Sequence, residues 1–346
     1  MTAEWLVYFV MGAALVAYVV TGGADFGGGV WDLLASGPRK QLQRAAVAHA
    51  IAPIWEANHV WLIFLIVLLF TVFPTAFATI GVALHFPIVL TLIGITLRGT
   101  AFTFRAYGLQ PDSTRLQWGR VFGWSSALTP IFMGMCLGAL GTGDIRVVQG
   151  EVITGSGAGW TTLFAVLVGL FALVLFALLA AVYLTYDTEG DVREDFRTRA
   201  ILSEGIAFLM ASAVFSVARS SAPKLYEGLA RSPWTWPLQV ATATAAIGVI
   251  ASLWRRRYGR ARFWVVMQVA LVVAGWGAAM DGHLVLPDVE VGNAGARSEV
   301  ISAVVPMIGL GSALLAPSLW LLFRLFKRPS SQELQARERS DEPSGG

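Results

Sequence analysis

The chain has 346 residues, of which 56% are hydrophobic and 14% charged, and its mean hydropathy is +0.65; this balance excludes a water-soluble surface. The net charge of +3 does not mark a nucleic-acid partner, because the basic residues sit in short loops between apolar runs and act as topology signals. Cys136 is the single cysteine, which excludes a disulfide framework, a cysteine-held cluster and a zinc site.

The expected fold is an all-α integral membrane protein. A bilayer core about 30 Å thick takes roughly 20 apolar helical residues per crossing. Runs of that kind predict nine transmembrane helices at about 5–24, 47–73, 77–104, 118–140, 161–186, 200–220, 234–254, 263–286 and 300–326. No basic segment precedes Trp5, so the first run reads as a retained span and not a cleaved leader. With the N-terminus outside, Arg39, Lys40 and Arg44, Arg193 to Arg199, the five arginines from Arg255 to Arg262 and the tail all fall inside. Nineteen of the 25 basic residues then lie on that side, which favours N-terminus out and C-terminus in the cytoplasm. Residues 1–326 read as one polytopic membrane domain, and 327–346 as a disordered cytoplasmic tail too polar to fold.

In chain order, the first polar feature is Thr21-Gly22-Gly23-Ala24-Asp25-Phe26-Gly27-Gly28-Gly29. Its glycines weaken a helix and allow close backbone approach, which in a membrane means either tight helix packing or a locally opened backbone lining a cavity. Asp25 either caps the next turn or forms a cytoplasmic proton entry. The next span begins Trp55-Glu56-Ala57-Asn58-His59-Val60-Trp61, where Glu56 and His59 share a helix face with Asn58 beside them. Carboxylate, imidazole and amide together suit a proton relay. A very short link at Phe73-Pro74-Thr75 makes the second and third spans antiparallel neighbours, so Glu56 is expected to face Arg98, each about 10 Å in from the cytoplasmic side. The plainer reading of that pair is charge neutralisation. His59 and His85 fall at similar depth, but each reads more simply as a helix contact than as a haem ligand. Asp281-Gly282-His283 reads as a loop cap.

On these residues the sequence resembles subunit II of the cytochrome bd-type quinol oxidases. The resemblance rests on Gly23-Ala24-Asp25-Phe26-Gly27-Gly28-Gly29, on Ile51-Ala52-Pro53-Ile54-Trp55-Glu56-Ala57-Asn58-His59-Val60-Trp61-Leu62-Ile63, and on Arg98-Gly99-Thr100-Ala101-Phe102-Thr103-Phe104-Arg105. It implies a haem-free, nine-helix subunit that forms a heterodimer with a larger subunit I. That partner carries haems b and d, oxidises quinol and reduces oxygen to water. The resemblance also implies a bacterial-type cell membrane as location and a quinone bound in some members, and it leaves room for a small accessory membrane subunit. Asp25, Glu56, Asn58 and His59 are then proton-pathway candidates; Arg98, Arg105, Trp55 and Trp61 are charge-balancing or structural. The chain departs from the family pattern at Gly22, Glu56 and Thr103, where the family often has aspartate or another acid, and at Ala57, where it has glycine. The alternative function is a secondary transporter with a buried Glu, His and Arg site, which requires interrupted helices in corresponding halves.

Overall fold

The computed structural model describes residues 2–51, 55–107 and 112–326, with backbone alone at 51, 55–57, 106, 107, 112, 113, 115, 315, 316, 319, 320 and 322–326. Residues 1–296 form one unit and the chain from Arg297 onward a second.

Helix α1 (Ala3–Leu33) runs unbroken through the glycine-rich segment. The first span therefore extends well past residue 24, and of the two readings of its glycines the structure bears out tight packing and not an opened backbone. Packing supplies what the glycines lack in helix propensity. A side-chain carbon at Gly23 would stand 2.7 Å from the Phe176 ring, and one at Gly27 would overlap the Phe176 carbonyl. The glycines are contact surface, not a break.

The next segment differs most from expectation. It comprises α2 (Lys40–Ile51), α3 (Trp55–Val72), α4 (Pro74–Ala83) and α5 (His85–Tyr107). Between α3 and α4 the axis bends by 115°. Pro74 occupies the first turn of α4, where its missing N–H costs nothing and its fixed φ starts a new helix. The expected short link thus becomes a ten-residue helix. As a result α3 packs on α1 while α5 packs along α6 (Asp112–Thr142).

Between α6 and α7 (Leu163–Asp187) lies the hairpin β1 (Val147–Val148) and β2 (Glu151–Val152). Small residues four apart bring the two helices together: Gly134 and Gly138 on α6 meet Ala165 and Gly169 on α7, and a carbon added at Gly134 would lie 2.7 Å from the Gly169 Cα. Thr162 caps α7, its hydroxyl accepting from the Ala165 N–H at 3.2 Å. The buried stretch from Leu175 to Leu184 makes α7 the central helix, with α1, α6 and α8 (Gly190–Ser221) around it.

The chain continues through α9 (Pro223–Arg231), α10 (Thr235–Trp254) and α11 (Tyr258–Ala279). The expected span 263–286 ends early, because Asp281 (φ 47°) and Gly282 (φ 76°) turn the chain into β3 (His283–Val285), β4 (Val289–Glu290) and α12 (Val291–Ala294). Asp281-Gly282-His283 is thus a helix-ending turn, with His283 Nδ1 2.9 Å from the Met280 carbonyl. Arg146 joins the two hairpins by bonding the Asp288 carboxylate at 2.8 and 3.2 Å. Helix α13 (Ser298–Phe326) is described by itself as a 29-residue helix with Pro306 and Pro317 inside it.

Among the described residues, seven helices are long and apolar enough to cross a membrane, or eight if the bent α3–α4 pair is one span. The ninth expected run coincides with α13, whose described apolar stretch is Ser298–Leu314. The segment 327–346 lies outside the described residues.

Candidate functional site

Seven residues are nearly two helical turns, so positions seven apart lie on one face. Asp25 and Asp32 stand seven apart on α1, and Arg98 and Arg105 stand seven apart on α5. The structure joins them as two rungs. Arg98 Nη2 donates to Asp25 Oδ1 at 2.5 Å, and Arg105 donates to both Asp32 oxygens at 2.8 Å. The sequence offset of 73 is the same at both rungs, so α1 and α5 run in the same direction there.

The inner rung is closed off from solvent: both Asp25 and Arg98 are buried. Arg98 Nε donates to Ser126 Oγ at 3.2 Å, whose hydroxyl in turn donates to the Phe122 carbonyl at 2.7 Å. Nη2 also donates to the Asp25 carbonyl at 3.3 Å. The guanidinium lies between the Phe26 and Phe122 rings, 4.8 and 5.2 Å from their centroids. Asp25 Oδ2, by contrast, is buried without a hydrogen-bond partner among the described residues. The outer rung is held more fully. Besides the two bonds from Arg105, Asp32 Oδ2 has Arg44 Nε at 4.0 Å, and Arg44 donates to the Asp32 carbonyl at 3.2 Å.

Continuing the seven-residue step along α1 from Asp25 toward the N-terminus reaches Tyr18. Its ring centroid is 6.5 Å from that of His59 on α3. Asn58 is buried and His59 half-buried beside it, while Trp61 packs against the core cluster. The side chains of Trp55 and Glu56 lie outside the described residues, so the expected Glu56–Arg98 pair does too. Among the described residues, the carboxylate that Arg98 bonds is that of Asp25.

The other expected candidates separate from this column. His85 is exposed at the first position of α5, with Nδ1 2.9 Å from the Val82 carbonyl and its ring against Phe86. Glu204 on α8 is buried and accepts from Gln268 Nε2 of α11 at 2.7 Å. Among the described residues, no three His, Cys, Asp or Glu side chains converge as a metal site. Sequence reasoning missed Asp32 and Ser126; the equal seven-residue spacing of two acids and two arginines was the signal for the former.

Outside the spans, the Arg146 hydrogen bonds hold the Asp288 carboxyl below the usual aspartate value, and the same bonds raise Arg146 above the usual arginine value. This pair ties loops together at the bundle end opposite Asp32.

Fold and site together define a polytopic helical membrane protein with a buried acid–arginine column. The profile of the family described as cytochrome bd terminal oxidase subunit II matches residues 3–326, and the chain belongs to that family. It is 27% identical over 238 residues to the cytochrome bd ubiquinol oxidase subunit 2 of Bacillus subtilis, covering 67% of each chain. It is 22% identical over 325 residues to that organism's putative cytochrome bd menaquinol oxidase subunit II, covering 90% of this chain and 92% of the relative. The match to the Escherichia coli K12 cytochrome bd-I ubiquinol oxidase subunit 2 is 26% over 218 residues, 61% of this chain and 55% of the relative. The fold is that of a chain in the solved bd oxidase from Geobacillus thermodenitrificans, with a TM-score of 0.79, 22% identity, and coverage of 94% and 99%.

Proposed function

We propose that this chain is the haem-free second subunit of a bd-type quinol:oxygen oxidoreductase in a bacterial-type cell membrane, N-terminus outside and C-terminus cytoplasmic. It forms a heterodimer with the haem-bearing subunit and delivers protons from the cytoplasm for reduction of oxygen to water. The haems of that partner supply the electron transfer and the oxygen chemistry. Here the work is proton movement: Asp25, Glu56, Asn58 and His59 carry it, and Arg98 and Arg105 balance the charge. Trp55 and Trp61 position the start of α3.

The observation that supports this most is the asymmetry of Asp25. One carboxylate oxygen is fixed by Arg98, and the other is buried and unengaged among the described residues; the same helix carries Tyr18, whose ring is 6.5 Å from that of His59. An oxygen without a donor is free to accept a proton. Asp32, by contrast, has both oxygens hydrogen-bonded by Arg105. The transporter alternative is not favoured, since α1 is continuous and the family match spans the membrane region.

The test is quinol-dependent oxygen uptake by the purified complex carrying Glu56→Gln or His59→Gln. Haem content is normalised from reduced-minus-oxidised spectra. Loss of a relay group is expected to slow turnover by about a hundredfold. Unchanged uptake at normal haem content in both variants overturns the proton-delivery role and leaves an assembly subunit.

A further inference from the structure

The turn from α10 to α11 carries five arginines in eight residues, Arg255 to Arg262. Basic residues at a helix end need no explanation beyond topology, but these five divide into two groups. Arg256 pairs with Glu194 at 3.4 Å, and Arg262 lies over the Tyr183 and Tyr186 rings. Arg255, Arg257 and Arg260 have no acidic partner among the described residues, and all three line one cleft of about 140 Å³ with Ser252 and Trp264. Its geometry is fixed by the backbone. Arg256, at φ 54°, closes the end of α10, with Arg256 N–H on the Leu253 carbonyl at 3.2 Å and Arg257 N–H on the Ser252 carbonyl at 2.8 Å. The Trp264 ring lies against Gly248, where an added carbon would come within 2.6 Å of it, and so forms the floor. On the same two helices Ile247, Trp254 and Phe263, each next in sequence to a residue lining the cleft, are exposed apolar side chains.

We propose that this cleft binds a phosphate-bearing anion, the head group of an anionic phospholipid, with its acyl chains along Ile247 and Phe263. Three unpaired guanidiniums and a hydroxyl suit phosphate oxygens. A basic pocket between helices at the bilayer boundary, continued by apolar surface, suits a lipid better than a free ion.

The test is native mass spectrometry of the purified complex with phosphatidylglycerol or phosphatidylcholine, with and without inorganic phosphate. Each arginine contributes about a fivefold preference for an anionic lipid. Arg257→Gln is therefore expected to lower retained phosphatidylglycerol about fivefold, and the triple Arg255→Gln, Arg257→Gln, Arg260→Gln variant about a hundredfold. Trp264→Leu leaves the charge and topology signals intact and should also weaken retention. Competition by inorganic phosphate would support the anion chemistry and overturn the lipid assignment; its failure to compete supports the lipid. Equal retention of phosphatidylglycerol by the wild type, Arg257→Gln and Trp264→Leu overturns the site altogether.

Discussion

The inner rung makes the sharpest prediction. Arg98→Met takes from Asp25 Oδ1 its arginine partner, while Oδ2 already has none. A buried carboxylate left alone costs about 3–5 kcal/mol. Asp25→Asn should cost less, about 2–3 kcal/mol, because the guanidinium keeps hydrogen bonds and two aromatic faces worth about 0.5–2 kcal/mol each. Those retained partners are Ser126, the Asp25 carbonyl, Phe26 and Phe122. The double variant carries neither charge, so its loss should fall short of the sum of the single losses by about 3 kcal/mol. The assay is the folded fraction remaining after stepwise heating in detergent, read by fluorescence-detected size-exclusion chromatography. Arg231→Met serves as control, since its pair with Glu227 at 3.6 Å is exposed. Strict additivity, or an Arg98→Met loss no larger than the control, refutes the reasoning.

Other outcomes are expected from the same geometry. Gly27→Ala should separate α1 from α7 and cost about 1–3 kcal/mol, whereas Gly12→Ala, with open space around it, should gain about 0.5–1 kcal/mol; thermal stability of the pair compares them directly. Thr162→Ala removes the cap on Ala165 N–H and should cost about 1 kcal/mol by the same heating assay. The bond from Arg146 lowers the folded-state value of Asp288, so its contribution is complete above the unfolded aspartate value of about 3.9. It is lost as pH falls through the lower folded value. Protection from hydrogen exchange over residues 144–153, taken relative to the intrinsic rate at each pH, should therefore fall on acidification, and Asp288→Asn should abolish that dependence; an unaltered profile counts against the bond.

Much of this was legible in the sequence because apolar runs and basic loops are long-range averages. Helices α6, α7, α8, α10 and α11 fall where hydropathy places them. Two boundaries were not. Pro74 was read as a link, although proline starts a helix as readily as it ends one, and only packing decides which. The Asp281–Gly282 turn hides inside an apolar stretch, since His283 to Val285 is strand and not helix. The glycine-rich end of α1 was ambiguous in sequence for a physical reason: glycine weakens an isolated helix yet permits the closest helix contacts, and Phe176 and Ala180, distant in sequence, settle the matter. Partner choice was the least legible feature. The Asp25–Arg98 and Asp32–Arg105 pairs each join residues 73 apart in the chain, and only the packing of α1 and α5 brings them together.

The departures from the family pattern bear on the proposed route. At Thr103 the hydroxyl donates to the Gly99 carbonyl of its own helix at 3.0 Å and faces outward, so it does not join the column. At Gly22 a side chain would press on the Tyr18 ring at 3.0 Å. Thr103 thus stands apart from the column, and an acid at Gly22 would have to displace the Tyr18 ring. The α1 face carrying Tyr18, Asp25 and Asp32 is what remains to connect the basic end to His59. Its two acids differ in the way a relay requires: Asp32 is saturated by Arg44 and Arg105 near the exposed end, and Asp25 keeps one oxygen unengaged about 10 Å deeper. Under this route Arg105→Gln, which releases Asp32, should alter the pH profile of oxygen uptake while sparing the maximal rate. A purely structural rung would lower stability and leave that profile where it was.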